Sequence, residues 1–215
     1  MSLPTLGFFG GTFDPVHCGH LQMALAAKAH LQLDEVRLLP CHQPPHRATP
    51  QLTSRQRSLL LGLAVQDVDD LSIDTRELKR DKLSWTVDTL RHCRKEFGDE
   101  LSITLWMGAD SYSGLQNWHE WQQLPQLAHI GILQRPGYTV PKVGVLAHWL
   151  ERSSAANIHQ QPAGTVVALK QPLLPWSATK IREQLALGVR PKGLPESVFN
   201  YIVAHQLYGF TETET

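Results

Sequence analysis

The sequence predicts a doubly wound α/β fold, with a mostly parallel sheet, helices on both faces and a C-terminal helical segment. Three observations predict it. Short apolar runs of strand type alternate with helix-period runs along most of the chain. Strand-type runs end in turns at Gly10, Pro40, Gly108 and Arg135. Right-handed crossovers would gather those four turns into one cleft. Finally, the first turn joins paired glycines to two histidines at the mouth of a helix, an arrangement suited to an anion.

The 215 residues read as one domain, a core over 1–170 with a phosphate-site helix and closing helix over 171–210. Twenty basic and 20 acidic residues cancel, so no global field recruits nucleic acid or membrane, and anion binding must be local. The 3 cysteines form no C-x-x-C pair, and their odd number argues against a disulfide framework; a reducing cytoplasm is expected. No leader pattern is seen, and no stretch reaches the roughly 18 apolar residues of a membrane span. Nothing in the pattern assigns an oligomeric state.

Taken in order, Leu6 to Phe9 is a strand and Leu21 to Leu31 a helix that begins near Gly19. Between them, Gly10 and Gly11 carry no Cβ and tolerate positive φ, so a phosphate can approach the main chain. His17 and His20 are three apart and address one ligand, and Gly19 clears a side chain from its path. The string is neither Gly-x-x-x-x-Gly-Lys-Ser/Thr nor Gly-x-Gly-x-x-Gly.

A second strand, Glu35 to Pro40, runs into the stiff loop Cys41 to Arg47. Thr53 and Gln56 form a capping box for a helix to Val65. No acid lies between Val36 and Gln66, so Arg37, Arg47, Arg55 and Arg57 are expected to make a local anion funnel. Leu71 to Asp74 is a strand, and Asp67, Asp69 and Asp70 before it read as a solvated turn. Ser84 is expected to cap a helix to Phe97 with Val87, Leu90 and Cys93 inward. After the strand Ser102 to Met107, Asp110 suits either a helix cap or a ligand contact. Trp118 offers a stacking face, while Trp121 reads as core. A strand from His129 to Gln134, a helix near Val143 to Leu150 and a strand from Thr165 to Lys170 follow. Ser177 then caps a helix that Gly188 ends, and with Thr179 and a basic residue one turn on it makes a second phosphate site. Pro195 opens a last helix with Val198, Ile202 and His205 on one face.

Gly10-Gly11-Thr12-Phe13-Asp14-Pro15-Val16-His17-Cys18-Gly19-His20 resembles the Gly-Gly-x-Phe-Asp-Pro-x-His-x-Gly-His signature of the nucleotidyltransferase superfamily, matching all 8 fixed positions. Pro44-Pro45-His46-Arg47 and Trp176 to Arg182 are similar to its Pro-Pro-His-Lys/Arg and Ile-Ser-x-Thr-x-Ile-Arg segments. With Ser84-Trp85-Thr86, Gly108-Ala109-Asp110-Ser111, Trp118 to Trp121 and Gln134 to Tyr138, the chain looks like the bacterial nicotinate mononucleotide adenylyltransferases. Trp176 for Ile and Gln134 for Arg depart from that pattern.

The resemblance implies a Rossmann-like core and transfer of an adenylyl group from ATP to nicotinate mononucleotide, with Mg²⁺ held by phosphates rather than by protein. It implies catalytic roles for His17, His20 and Arg182, and ATP-phosphate contacts from Gly10, Gly11, Thr12, Phe13, Ser177 and Thr179. His46, Arg47, Ser84, Trp85, Thr86, Asp110, Trp118, His119 and Arg135 would bind the mononucleotide. Two rival readings exist: another phosphorylated acceptor, such as nicotinamide mononucleotide or pantetheine phosphate, and a metal- or nucleotide-binding module. The second would use His17, Cys18, His20, Cys41, His42 and His46, whose spacings fit no common zinc site.

Overall fold

The computed structural model describes residues 2–42, 49–80, 84–133, 139–151, 154–169 and 175–211. Its sheet contains β1 (Thr5–Gly11), β2 (Glu35–Pro40), β3 (Leu71–Ile73), β4 (Ser102–Gly108), β5 (His129–Leu133) and β6 (Val166–Leu169). The order is β3-β2-β1-β4-β5-β6, and every neighbouring pair is parallel. Successive crossovers therefore run outward from β1 to one edge, return to β4 and run outward again. That reversal opens a crevice at the carboxyl ends of β1 and β4. Phe9 lies level with Trp106, so the two glycine-bearing strand ends emerge side by side.

The helices are α1 (Cys18–Leu31), α2 (Ser54–Val65), α3 (Thr86–Phe97), α4 (Ala109–Ser113), α5 (Leu124–Leu127), α6 (Gly144–Glu151), α7 (Ala178–Ala186) and α8 (Glu196–Ala204). Strand side chains alternate between two cores, as the period of two requires. Val36, Leu38 and Trp106 pack with α1, α2, α7 and α8 on one face. Phe8, Leu39, Ile103, Leu105 and Met107 pack with α3, α4, α5 and α6 on the other. Trp106 lies so close over Gly131 of the neighbouring strand that a side chain there would collide with the indole.

Most ends follow local chemistry. Thr53 accepts from the Gln56 N–H while the Gln56 side chain bonds back to Thr53, so the expected capping box forms. Ser177 caps α7 through the Lys180 N–H, and Gly188 leaves that helix at φ +69°. Two expectations fail. Trp85, not Ser84, is the N-cap of α3, because Ser84 is buried toward the Glu77 carboxyl and its hydroxyl is not presented to the helix. His205 is exposed at the C-cap of α8, its ring stacked 3.8 Å from Tyr201, while Val198 and Ile202 do face the core. Leu115–Asn117 and Trp121–Gln123 form 3-10 turns that the sequence did not signal. Trp121 packs part-buried against the second core, its ring 5.3 Å from Trp149.

Candidate active site

Residues 12–17 connect β1 to α1 at the crevice. His17 is the N-cap of α1 and His20 lies in its first turn. The His17 N–H donates to His20 Nδ1 at 3.2 Å, which places the neutral ring's proton on Nε2. The two rings stack with centroids 3.7 Å apart, and the Phe13 ring meets His20 edge-on at 5.0 Å. Both histidines are buried, so their orientations are fixed by packing.

The glycines act differently from expectation. Neither Gly10 nor Gly11 has positive φ; Phe13 carries the left-handed turn at φ +51°. Gly10 does face open space, whereas a Cβ on Gly11 would stand 2.9 Å from the Phe13 ring. Gly19 clears room for His17 rather than for a ligand, since a Cβ there would stand 2.9 Å from His17 Nδ1.

Arg182 reaches this loop from α7. Its Nη1 donates to the Asp14 carbonyl at 2.6 Å and its Nη2 to Thr179 Oγ1 at 3.4 Å. Trp176 lies 3.7 Å from the same Cβ position of Gly19, which brings the segment before α7 against the mouth of α1. Its indole also covers Gly193, whose φ of +91° and missing side chain are both required there. The Gly193 carbonyl takes the Cys18 N–H at 2.7 Å, so one of the first N–H groups of α1 is used within the chain. His17, His20, Thr12, Phe13, Ser177, Thr179 and Arg182 thus belong to one region.

The expected arginine funnel does not form from Arg37 or Arg57. Arg37 pairs with Glu35 at 2.7 Å and approaches Asp74 at 3.8 Å, away from the crevice. Arg57 is only 1% exposed and donates to the carbonyls of Thr12, Cys41 and His42 at 2.5, 2.7 and 2.8 Å. It is a clamp joining the β1–α1 loop to the loop after β2. The sole cue for this role was an arginine on the inner face of a helix. Arg55 is exposed. His42 Nδ1 lies 3.0 Å from Ser54 Oγ. His46, Arg47 and Arg135 lie outside the described residues.

A second cluster faces the crevice from the other side of β4. The rings of Trp85 and His119 lie 5.0 Å apart, and His119 Nε2 is 3.1 Å from Glu120 Oε1, whose own carboxylate pairs with Arg91. Thr86 starts α3, Trp118 is half-buried against the second core, and Asp110 sits in the first turn of α4 with Gly108 as the N-cap. Asp110 is therefore not the cap. Beneath Ser84 the Glu77 carboxyl accepts from Thr89 Oγ1 at 2.7 Å, and burial pushes its pKa up to about 7. Among the described residues, no three His, Cys, Asp or Glu side chains converge as metal ligands. No described helix is long and apolar enough to cross a membrane.

This architecture is shared with the nicotinic acid mononucleotide adenylyltransferase of Plasmodium falciparum, solved in complex with NaAD. The TM-score is 0.74 over 97% of this chain and 98% of that one, and the 15% identity limits the likeness to fold. The profile of the cytidylyltransferase-like family matches residues 8–184. A probable nicotinate-nucleotide adenylyltransferase of Cellvibrio japonicus is 46% identical over 208 residues, covering 95% of this chain and 99% of that protein. One from Pseudomonas putida is 44% identical over 206 residues, covering 94% of each. The chain belongs to the nicotinate-nucleotide adenylyltransferase family.

For this member of the nicotinate-nucleotide adenylyltransferase family, sequence reasoning missed the supports of the site more than its surface. Asp14 is a fixed position of the motif, yet only the structure gives it work. Asp14 is 6% exposed, and its carboxylate accepts from the N–H groups of Gln51 and Leu52 and from the Tyr208 hydroxyl. Tyr208 lies beyond the matched region, and no local pattern marks it.

Proposed function

We propose that the chain transfers the adenylyl group of ATP to nicotinate mononucleotide, giving nicotinate adenine dinucleotide and pyrophosphate, a step in NAD biosynthesis. The observation that carries this reading is convergence. His17 and His20 from the start of the chain and Arg182 from near its end meet on one loop at the carboxyl edge of β1. We read the chain as a single nucleotidyltransferase domain working in the cytoplasm, its three cysteines free thiols.

The 5′-phosphate oxygen of the mononucleotide attacks the α-phosphorus of ATP in line. As that P–O bond forms, the bond to the bridging oxygen breaks and pyrophosphate leaves. The attacking oxygen is already ionised, so no protein base or nucleophile is needed, and the chain contributes positioning and charge neutralisation. His17 and His20 hydrogen-bond the phosphates as charge builds on the bridging oxygen. Arg182, with Thr179 and Ser177, holds the β- and γ-phosphates over the open approach at Gly10. A divalent cation, Mg²⁺, would be carried by phosphate oxygens and water, the hard oxygen donors it prefers. When bound it neutralises phosphate charge.

The mononucleotide lies across the β4 side, and the resemblance assigns its phosphate to His46 and Arg47. Trp118 stacks on the pyridine ring, with Trp85, Thr86, Asp110 and His119 around it; Ser84, buried toward Glu77, supports the pocket from behind, and the resemblance assigns Arg135 to the same ligand. The ring carboxylate accepts N–H groups from the main chain near Thr86 and His119. A carboxamide would oppose a donor to a donor there, so the acid is the preferred substrate. The test is pyrophosphate release from ATP and Mg²⁺ with nicotinate mononucleotide, its amide or pantetheine phosphate. The acid should give the highest kcat/KM by a large factor. Equal values for acid and amide would overturn the pyridine pocket, and release with neither would overturn the acceptor.

A further inference from the structure

Three segments distant in sequence meet on Asp14, two on its side chain and one on its backbone carbonyl. Its Oδ2 accepts the Gln51 N–H at 2.8 Å, and its Oδ1 accepts the Leu52 N–H at 3.4 Å and the Tyr208 hydroxyl at 2.7 Å. The backbone carbonyl of the same residue accepts Arg182 Nη1 at 2.6 Å. Asp14 therefore stands between the C-terminal tail and the guanidinium assigned to the ATP phosphates. The tail bends sharply to reach it, with Gln206 and Tyr208 at φ +50° and +58°, a conformation costly for side chains other than glycine.

Packing alone would be served by a phenyl ring. Tyr208 lies in the first core beside Phe199 and Phe210, where a buried hydroxyl costs free energy unless it is bonded. Its bond goes to a carboxylate, the stronger kind of acceptor. Burial and the Asp14 charge both push the phenol pKa up, so the group remains a donor across the physiological range. Without that hydroxyl, Oδ1 would keep only the long Leu52 contact.

We propose that Tyr208 is a positioning residue for the phosphate site: its hydroxyl fixes the Asp14 carboxylate, and the Asp14 carbonyl in turn holds Arg182 at the mouth of α1. This rests on the reading, given above, that Arg182 binds the ATP phosphates. The chain's catalytic apparatus then extends past residue 184, where the family profile stops.

The test compares Tyr208→Phe with Phe210→Leu. Phe210 is buried in the same tail, its ring edge-on to Phe199 at 5.5 Å, so its truncation loosens the tail without removing the bond to Asp14. Tyr208→Phe should lower kcat about tenfold while changing the KM for the mononucleotide less than twofold. Phe210→Leu should lower the Tm at least as much and keep kcat. Wild-type kinetics in Tyr208→Phe, or an equal loss of kcat in Phe210→Leu, would overturn the proposal. Calorimetric binding of Mg-ATP to wild type, Arg182→Gln and Tyr208→Phe separates this idea from the assigned reaction. Weaker binding in both variants supports the positioning role even if the mononucleotide proves to be the wrong acceptor. Unchanged ATP affinity in Tyr208→Phe, where Arg182→Gln has lost it, would sink the role while leaving the reaction intact.

Discussion

Replacing Gly19 by Ala should separate activity from stability. Gly19 is the second residue of α1, where Ala is favoured over Gly by up to about 1 kcal/mol of helix propensity. The added Cβ, however, would stand 2.9 Å from Nδ1 and 3.0 Å from Cε1 of His17. Restoring ordinary van der Waals separation requires the ring to move by about 0.5 Å. His20, stacked at 3.7 Å, restricts where it can go. If a misplacement of about 1 Å costs about a hundredfold in rate, half of it costs about tenfold. Pyrophosphate release at saturating substrates should therefore show a kcat loss of about tenfold, with thermal stability unchanged within about 1 kcal/mol. His17→Ala should lower kcat further while raising the ATP KM little. In the His17→Ala background Gly19→Ala should cost nothing more, because the ring it displaces is gone. A Gly19→Ala enzyme at the wild-type rate, or one equally impaired in both backgrounds, would refute the idea that Gly19 seats His17.

The remaining predictions concern three buried polar groups. His129 is fully buried, donating from Nε2 to the Gln161 carbonyl and accepting the Thr165 N–H at Nδ1, and burial lowers its pKa to about 4. Because the folded value lies below the unfolded one, its stability contribution is full above about pH 6.5 and is lost as pH falls toward 4, about 3 kcal/mol in all. Glu77 has the opposite sign, being raised to about 7, so its contribution is full below about pH 4.5 and is lost as pH rises through 7. Between about pH 4.5 and 6.5 the two contributions oppose each other, so denaturant titrations from pH 4 to 8 should show His129→Gln losing stability relative to wild type as pH rises over that range and Glu77→Gln gaining it; parallel profiles for wild type and variants would contradict both. Arg57→Lys keeps the charge but not a fork that spans three carbonyls, and should destabilise by about 2–3 kcal/mol in urea. A loss below about 1 kcal/mol would show that the clamp is dispensable.

The sequence alone determined the order of the six strands, the strand end at Pro40, the capping box at Thr53 and Gln56 and the Ser177 cap, and the two histidines at the mouth of α1. These are local matters. Periodicity, a capping side chain or a proline acts within a turn or two, so neighbouring residues carry the signal. Tertiary structure decided the rest. Arg57 looked like part of an anion funnel and became a carbonyl clamp, because its partners at Thr12, Cys41 and His42 are brought to it by the packing of α2. Ser84 looked like a cap and turned inward toward Glu77, and Gly19 proved to be a seat for His17. Tyr208 reaches Asp14 across 194 positions, a separation at which no neighbouring residue can report the partner. A buried donor takes whichever acceptor the fold delivers, and that delivery depends on the whole chain at once.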